Sequence, residues 1–305
     1  MLVNGKVLDE RIVHDLILAI QKRKELSDIN KDFVRDTLFE YLKREPKAVK
    51  YLCSDKVNPR AENYKLIMKA VRAKLRRSHT LFWEKSILPE RKKLIAKLPK
   101  TKTYQQFQEL AKEILKTHSS TKERQEFYPV LYEKIFKITG QPQTVLDLGA
   151  GLNPISLIYL PQFSKVNKKA LEYYAYDINE YEIALLNKIF KKTQKFFSNF
   201  EGKAEVFDLL HWNKISHMPK VDLCLMFKVT DVLDQGKGHK VTETVIAEIP
   251  AKYIVVSFPT VTMSGKMMNH PRRKWFELMC RRLTYKYNFF STSNELFYVV
   301  KKLVD

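Results

Sequence analysis

Long apolar runs are missing from this 305-residue sequence. No window approaches the roughly 18 to 20 uninterrupted apolar residues that a membrane-spanning helix requires, so no membrane association is expected. The opening stretch MLVNGKVLDERIVHDL meets Asp9 and Glu10 before a signal-peptide core could form, which predicts a cytoplasmic protein. Cysteine is scarce: Cys53, Cys224 and Cys280 show no paired spacing, so neither a disulfide framework nor a cysteine-based zinc site is supported. Seven histidines are scattered without metal-ligand spacing, and no metal is expected. Internal repeats and low-complexity tracts are also absent.

Negative charge is in short supply. Thirty-four acidic residues face 55 basic ones, a formal net charge of +21, and such a field concentrates polyanions whatever the fold. The excess peaks over residues 51–100, with fourteen basic residues against four acidic, including Lys69, Arg72, Lys74, Arg76, Arg77 and the cluster Arg91, Lys92, Lys93. The competing reading of these lysines and arginines is a merely solvated, lysine-rich surface. A hydrophobic fraction of 45% with 12% aromatics is enough for packed cores, and the length suits two domains.

From residue 8 to about 139 apolar residues recur at helical spacing, as in Ile12, Leu16, Ile17, Ile20 and Leu66, Ile67, Ala70, Val71, Leu75. Breaks are expected at 27–30, 54–60 around Pro59, 78–80, 99–103 and 118–121, and a last helix over 121–139 should stop at Gly140. Beyond Gly140 short β-rich runs alternate with helical patterns, the signature of a βαβ sheet. Strands are predicted at 144–148, 171–177, 203–207, 221–227 and 252–258, followed by an antiparallel hairpin of 285–290 and 296–301. The fold class is therefore α/β: a Rossmann-like seven-stranded methyltransferase core, residues 119–305, behind an all-α, basic RNA-binding domain, residues 1–118.

The strongest local signal is Val145-Leu146-Asp147-Leu148-Gly149-Ala150-Gly151-Leu152-Asn153-Pro154, an apolar strand entering a glycine turn and then a helix with Pro154 in its first turn. It is not a phosphate cradle, because a dinucleotide fingerprint needs glycine where Pro154 stands and no P-loop lysine follows. Asp147 suits a cofactor with a cationic amino group, as S-adenosyl-L-methionine has. Asp177 ends the second strand, where an acid can accept both ribose hydroxyls, and Asp208 follows the third, where it can accept from the adenine amino group. Ile178, Leu209 and Phe227 flank these acids and complete the expected cofactor set with Gly149, Ala150, Gly151, Asn153 and Pro154. Each aspartate alone could be a helix N-cap; three in register with the glycine turn are harder to dismiss.

These motifs resemble the aminoglycoside-resistance 16S ribosomal RNA (guanine-N7) methyltransferases. That family carries D-x-G-x-G-x-N-P, matched by Asp147 to Pro154, a fourth strand running into F-K or L-K, matched by Asp222 to Lys228, and V-V-S-F-P, matched by Val255 to Pro259, followed by S-L-x-G-R, where Met263-Ser264-Gly265-Lys266 stands here. The resemblance covers about residues 125–300 and implies a basic helical domain that docks on folded RNA. Two positions depart from it. Lys266 replaces an arginine and cannot form the same planar fork, and Thr230-Asp231 stands where a proline is usual.

The resemblance implies N7 methylation of a guanine in a structured RNA, either ribosomal RNA in its subunit or transfer RNA, by a protein acting as a monomer. N7 has an in-plane lone pair and needs no general base, which fits the lack of an acid–base dyad. Phe258 and Pro259 are expected to wall the target-base pocket, Ser257 and Lys228 to contact the base, and Lys266 to meet the neighbouring phosphate, with Lys74, Arg76, Arg77, Lys92 and Lys93 on RNA backbone. For Phe258 the competing reading is a core aromatic. The alternatives are a protein or small-molecule methyltransferase, a nonenzymatic RNA-binding protein that retains the fold, and, disfavoured by Pro154 and the hairpin, a dehydrogenase.

Overall fold

A computed structural model of the chain describes residues 2–23, 26–27, 29–54, 57–79, 88–160, 170–234, 238–262 and 265–302. It divides into two compact units, residues 1–85 with 178–180, and residues 86–177 with 181–305.

The first unit is helical, with a short hairpin of β1 (Leu2–Val3) and β2 (Lys6–Val7) leading into α1 (Glu10–Gln21), α2 (Lys31–Arg44), α3 (Pro46–Leu52) and α4 (Glu62–His79). Asp9 caps α1 by accepting from the Arg11 N–H, and Asn30 caps α2 by accepting from Asp32 and Phe33. The apolar stripe Val13, Leu16, Ile17 and Ile20 of α1 is buried as its spacing predicts. Pro46 at the first turn of α3 splits what periodicity alone reads as one continuous helix.

The second unit opens with α5 (Leu88–Lys97), α6 (Tyr104–Leu115), α7 (Ser119–Arg124) and α8 (Tyr128–Thr139). The sequence expectation put a domain boundary after residue 118, whereas α5 and α6 pack in the sheet-bearing unit: Leu98, Phe107, Leu110 and Ile114 share a core with the sheet residues Val145, Tyr173 and Phe190 of the following helix. The expected helix over 121–139 is two helices, interrupted before Tyr128 with Pro129 in the first turn of α8. Gly140 ends α8 at φ +74 as anticipated.

Then follow β3 (Thr144–Leu148), β4 (Leu171–Asp177), α9 (Glu180–Phe196), β5 (Phe200–Val206), β6 (Val221–Phe227), α10 (Thr230–Asp234), α11 (Lys240–Glu248), β7 (Ala251–Pro259), α12 (Lys274–Arg282), β8 (Lys286–Ser291) and β9 (Glu295–Lys301). The seven-stranded sheet has the order β5-β4-β3-β6-β7-β9-β8. The first five are mutually parallel; β9 runs antiparallel to β7, and β8 antiparallel to β9. Alternation along β3 feeds two cores: Val145 joins the cluster with α6 and α8, while Leu146 and Leu148 join Val245, Ile246 and Phe276 on the other face. The carboxyl ends of β3, β4, β5, β6 and β7 therefore form one edge, where such sheets bind ligands.

Candidate functional site

At that edge the chain leaves β3 through Gly149 (φ +66) and Gly151 (φ +49), in the left-handed region that a Cβ disfavours. The N–H groups of Gly149 and Ala150 both donate to the Tyr176 carbonyl, at 2.9 and 3.0 Å, which folds the turn over β4. A Cβ on Gly149 would lie 2.7 Å from Val229 Cγ2 and 3.6 Å from Leu209 Cδ1. Asp177 accepts from the Gly151 N–H at 2.8 Å, tying the end of β4 to the loop. Asp208 accepts from the Leu210 N–H at 2.8 Å, the capping geometry that competes with a ligand role.

Asp147 lies beneath this turn, 1% exposed. Its Oδ2 accepts from Asn153 Nδ2 at 2.8 Å and from the Tyr173 hydroxyl at 2.7 Å. Burial lifts its pKa to about 7, while these two donors and the more distant Arg124 pull the other way. Asn153 is held from its other side by the Tyr128 hydroxyl at 2.9 Å, and Tyr132, one turn further along α8, meets Ser156 at 2.6 Å. Asp147 thus braces the loop from inside rather than standing open at the edge. Residues Asn153–Tyr159 form a 3-10 helix in place of the expected α-helix, with every residue from Asn153 to Ile158 buried.

The expected substrate side is assembled from β6, β7, β9 and α7. Phe227 ends β6 in register with Ser257 of β7. Lys228 follows with φ +57, a conformation costing roughly 1–2 kcal/mol for a residue with a Cβ. Its N–H donates to Ser257 Oγ at 3.0 Å, and the Ser257 hydroxyl donates to Glu295 Oε1. Arg124 forks onto Glu295 at 2.8 and 3.0 Å and lies 4.8 Å over the Phe227 ring. The pair is fully internal, at 3% and 0% side-chain exposure. Lys228 Nζ reaches Glu123 Oε2 at 2.7 Å, with Glu295 Oε2 at 3.7 Å.

The structure brings Lys228 and Ser257 together but gives Ser257 a different part: it is fully buried and fixes the Lys228 backbone instead of facing a ligand. Phe258 is corrected from pocket wall to core. It is 1% exposed and packed edge-on against Trp275, Phe276 and Tyr298, because β7 alternation turns it to the opposite face from Ser257. Pro259 is half-buried, its carbonyl accepting from Arg273. Lys266 is exposed in a tight turn with Gly265 at φ +82, while Met263 and Ser264 of the same motif lie outside the described residues. Lys74 of the first unit is ion-paired with Glu40, and Arg76 is exposed. The side chain of Arg77 lies outside the described ones. Lys92 and Lys93 are exposed on α5, but their neighbour Arg91 is buried and paired with Glu182 at 3.0 Å. Ile178 is half-buried in the short 178–180 segment grouped with the helical unit. Sequence reasoning missed Glu123, Arg124 and Glu295, which are far apart in the chain and carry no motif.

Five parallel strands closed by an antiparallel hairpin, with a glycine turn leaving β3 and acids at the ends of β4 and β5 on one side of it, define a Rossmann-like methyltransferase fold. The sequence model of the ribosomal RNA methyltransferase (FmrO) family matches residues 26–299. The chain belongs to that family, in accord with the resemblance seen in its motifs. A 16S rRNA (guanine(1405)-N(7))-methyltransferase of Proteus mirabilis is 30% identical over 171 residues, 52% of this chain and 52% of that protein. The chain therefore spans about half the length of this curated relative. Among solved structures, the 16S rRNA methyltransferase RmtF in complex with S-adenosyl-L-homocysteine superposes with a TM-score of 0.69 at 24% identity, covering 97% of this chain and 100% of that one. The 16S rRNA methylase ArmA gives 0.52 at 27% identity, covering 70% and 98%.

Proposed function

We propose that this protein is an S-adenosyl-L-methionine-dependent methyltransferase acting on guanine N7 in ribosomal RNA of the small subunit, in the cytoplasm and as a monomer. The observation that carries the reading is the glycine turn at the carboxyl end of β3, braced by Asp147 and pinned by Asp177. The residues present fit the cofactor: at Gly149 the turn presents bare backbone, and a Cβ there would lie 2.7 Å from Val229 and 3.6 Å from Leu209, so no side chain covers it. Gly149, Ala150 and Gly151 would lie along it, Asp177 would take its ribose and Asp208 with Leu209 its adenine. When bound, S-adenosyl-L-methionine supplies an electrophilic methyl group on sulfonium.

The chain's own part is alignment. An in-plane lone pair at N7 needs no proton removed, so holding the base at the right distance supplies the rate, an effect worth several orders of magnitude. Lys228 stands immediately beside Val229, which touches the glycine turn, so a base bound there would sit next to the methyl donor. Lys74, Arg76, Lys92 and Lys93 of the region 1–118, with Lys266 outside it, would hold RNA phosphates. The curated relative from Proteus mirabilis, described as a 16S rRNA guanine-N7 enzyme, supports the same target.

The test is incubation with labelled S-adenosyl-L-methionine and small ribosomal subunits, naked ribosomal RNA or total transfer RNA, then nucleoside mass spectrometry. N7-methylguanosine is cationic with a labile glycosidic bond, so borohydride and aniline should cleave small-subunit RNA at one new position. A methylated but aniline-resistant product overturns the N7 assignment and moves Lys228 to a base that takes a proton from a hydroxyl.

A further inference from the structure

Lys228 and Glu123 make an unusual pair. The lysine is 11% exposed and clamped from below by Glu295, whereas the Glu123 side chain is 45% exposed, so the buried cation presents an open carboxylate at the surface. Lys228 is held with a left-handed backbone, and strain of that kind persists only where surrounding structure enforces it. Here the enforcing groups are visible. Ser257 accepts the Lys228 N–H, Glu295 fixes Ser257, and buried Arg124 neutralises Glu295.

A third group completes the arrangement. Asn294 Nδ2 donates to Glu123 Oε2 at 3.2 Å, while its own Oδ1 is buried with no hydrogen-bond partner among the described residues. An orphaned buried acceptor is costly unless something donates to it. Glu123 Oε2 already receives Lys228 and Asn294; Oε1 accepts from no described residue. The site therefore offers, side by side, an ammonium donor and a partly exposed carboxylate acceptor, the latter held by the Asn294 amide.

We propose that Lys228 and Glu123 read the Watson–Crick edge of the target guanine, Lys228 donating to O6 and the Glu123 carboxylate, held by Asn294, accepting from N1–H and the exocyclic amine. This rests on the guanine reading above and specifies how the base is chosen. Guanine presents acceptor, donor, donor along that edge, the complement of this set. Adenine presents a donor where Lys228 donates and a lone pair where Glu123 is negative, so it is rejected by unpaired and repelling groups rather than by shape. Gripping the Watson–Crick edge leaves N7, on the opposite edge, open to the methyl donor, and it requires the base to be unpaired or flipped.

The experiment compares small ribosomal subunits carrying guanosine or inosine, which lacks the exocyclic amine, at the methylated position, with wild-type protein and Glu123→Gln. Wild type should prefer guanosine by about tenfold or more in kcat/KM, the loss expected from one charge-assisted hydrogen bond. In Glu123→Gln activity on guanosine should fall and the preference collapse toward unity. Calorimetric affinity for S-adenosyl-L-homocysteine should stay at the wild-type value and so exclude misfolding. A guanosine preference intact in Glu123→Gln, with N7-methylguanosine still formed, overturns the edge-reading role and leaves the reaction assignment standing. Absence of N7-methylguanosine with wild type overturns the reaction assignment, and this role with it.

Discussion

Gly149→Ala is the smallest change that tests the cofactor loop. Two costs can be read from the structure. At φ +66 an alanine pays roughly 1–2 kcal/mol for the left-handed conformation. The added Cβ meets Val229 Cγ2 at 2.7 Å, and such overpacking typically costs about 1–3 kcal/mol. The sum, about 3 kcal/mol, should lower the midpoint of thermal unfolding by roughly 6–12 °C for a unit of this size. Denaturant unfolding followed by the fluorescence of Trp212 and Trp275, both in the sheet-bearing unit, measures it. Adding Val229→Ala removes the steric cost and leaves the dihedral one, so the double variant should recover about half of the loss beyond its own small core penalty. Affinity for S-adenosyl-L-homocysteine should drop in both, because the turn cannot keep its backbone path. Stability of Gly149→Ala within about 0.5 kcal/mol of wild type, with unchanged affinity, would refute the reasoning.

Two further outcomes follow from buried charge. With its pKa raised from 3.8 to about 7, Asp147 holds a proton in the folded state that the unfolded chain has released, so its contribution falls as pH rises from about 4 to 7. Asp147→Asn removes that slope; its stability relative to wild type should improve by about 2 kcal/mol between pH 5 and pH 7.5, and a pH-independent difference would contradict the buried carboxyl. Arg91→Ala strands Glu182 inside the protein and should cost about 3–5 kcal/mol in denaturant unfolding. Lys92→Ala with Lys93→Ala should leave stability unchanged, weaken RNA binding and flatten its salt slope by about two units; the reverse pattern would mean that α5 faces the wrong way.

Much of the sheet was legible because its signals are local. Thr144–Leu148, Leu171–Asp177 and Val221–Phe227 are short apolar runs bounded by turn residues, and the strands fall on the predicted residues. The glycine turn was legible for the same reason, since positive φ selects glycine at single positions. The 3-10 helix after it was not. Its geometry comes from two tyrosines of α8 gripping Asn153 and Ser156, contacts made across more than twenty residues of chain. Phe258 misled because its strand neighbour Ser257 belongs to the site, and a period of two puts adjacent residues on opposite faces.

The deeper obstacle is that a sequence shows how many charges a chain has but not which of them are already matched internally. Arg91 sits in a basic cluster with Lys92 and Lys93, yet its guanidinium is buried against Glu182, 91 residues away. Arg124 is likewise matched by Glu295, at a separation of 171 residues. Both arginines occur where a planar fork meets a carboxylate in the interior, a role lysine fills poorly. The charge available to an RNA is therefore weighted toward lysine more than composition suggests. Glu123 is the converse case: it looks like one more solvated acid in the sequence, and becomes specific only because Lys228 and the adjacent pair Asn294 and Glu295 converge on its neighbourhood from two distant parts of the chain. The base-reading role proposed for Glu123 thus depends on long-range pairing between α7 and the ends of β6 and β9, while the glycine turn and the acids at the ends of β4 and β5 each carry a local signal, which is why the cofactor site could be read from the sequence and the base contact required the structure.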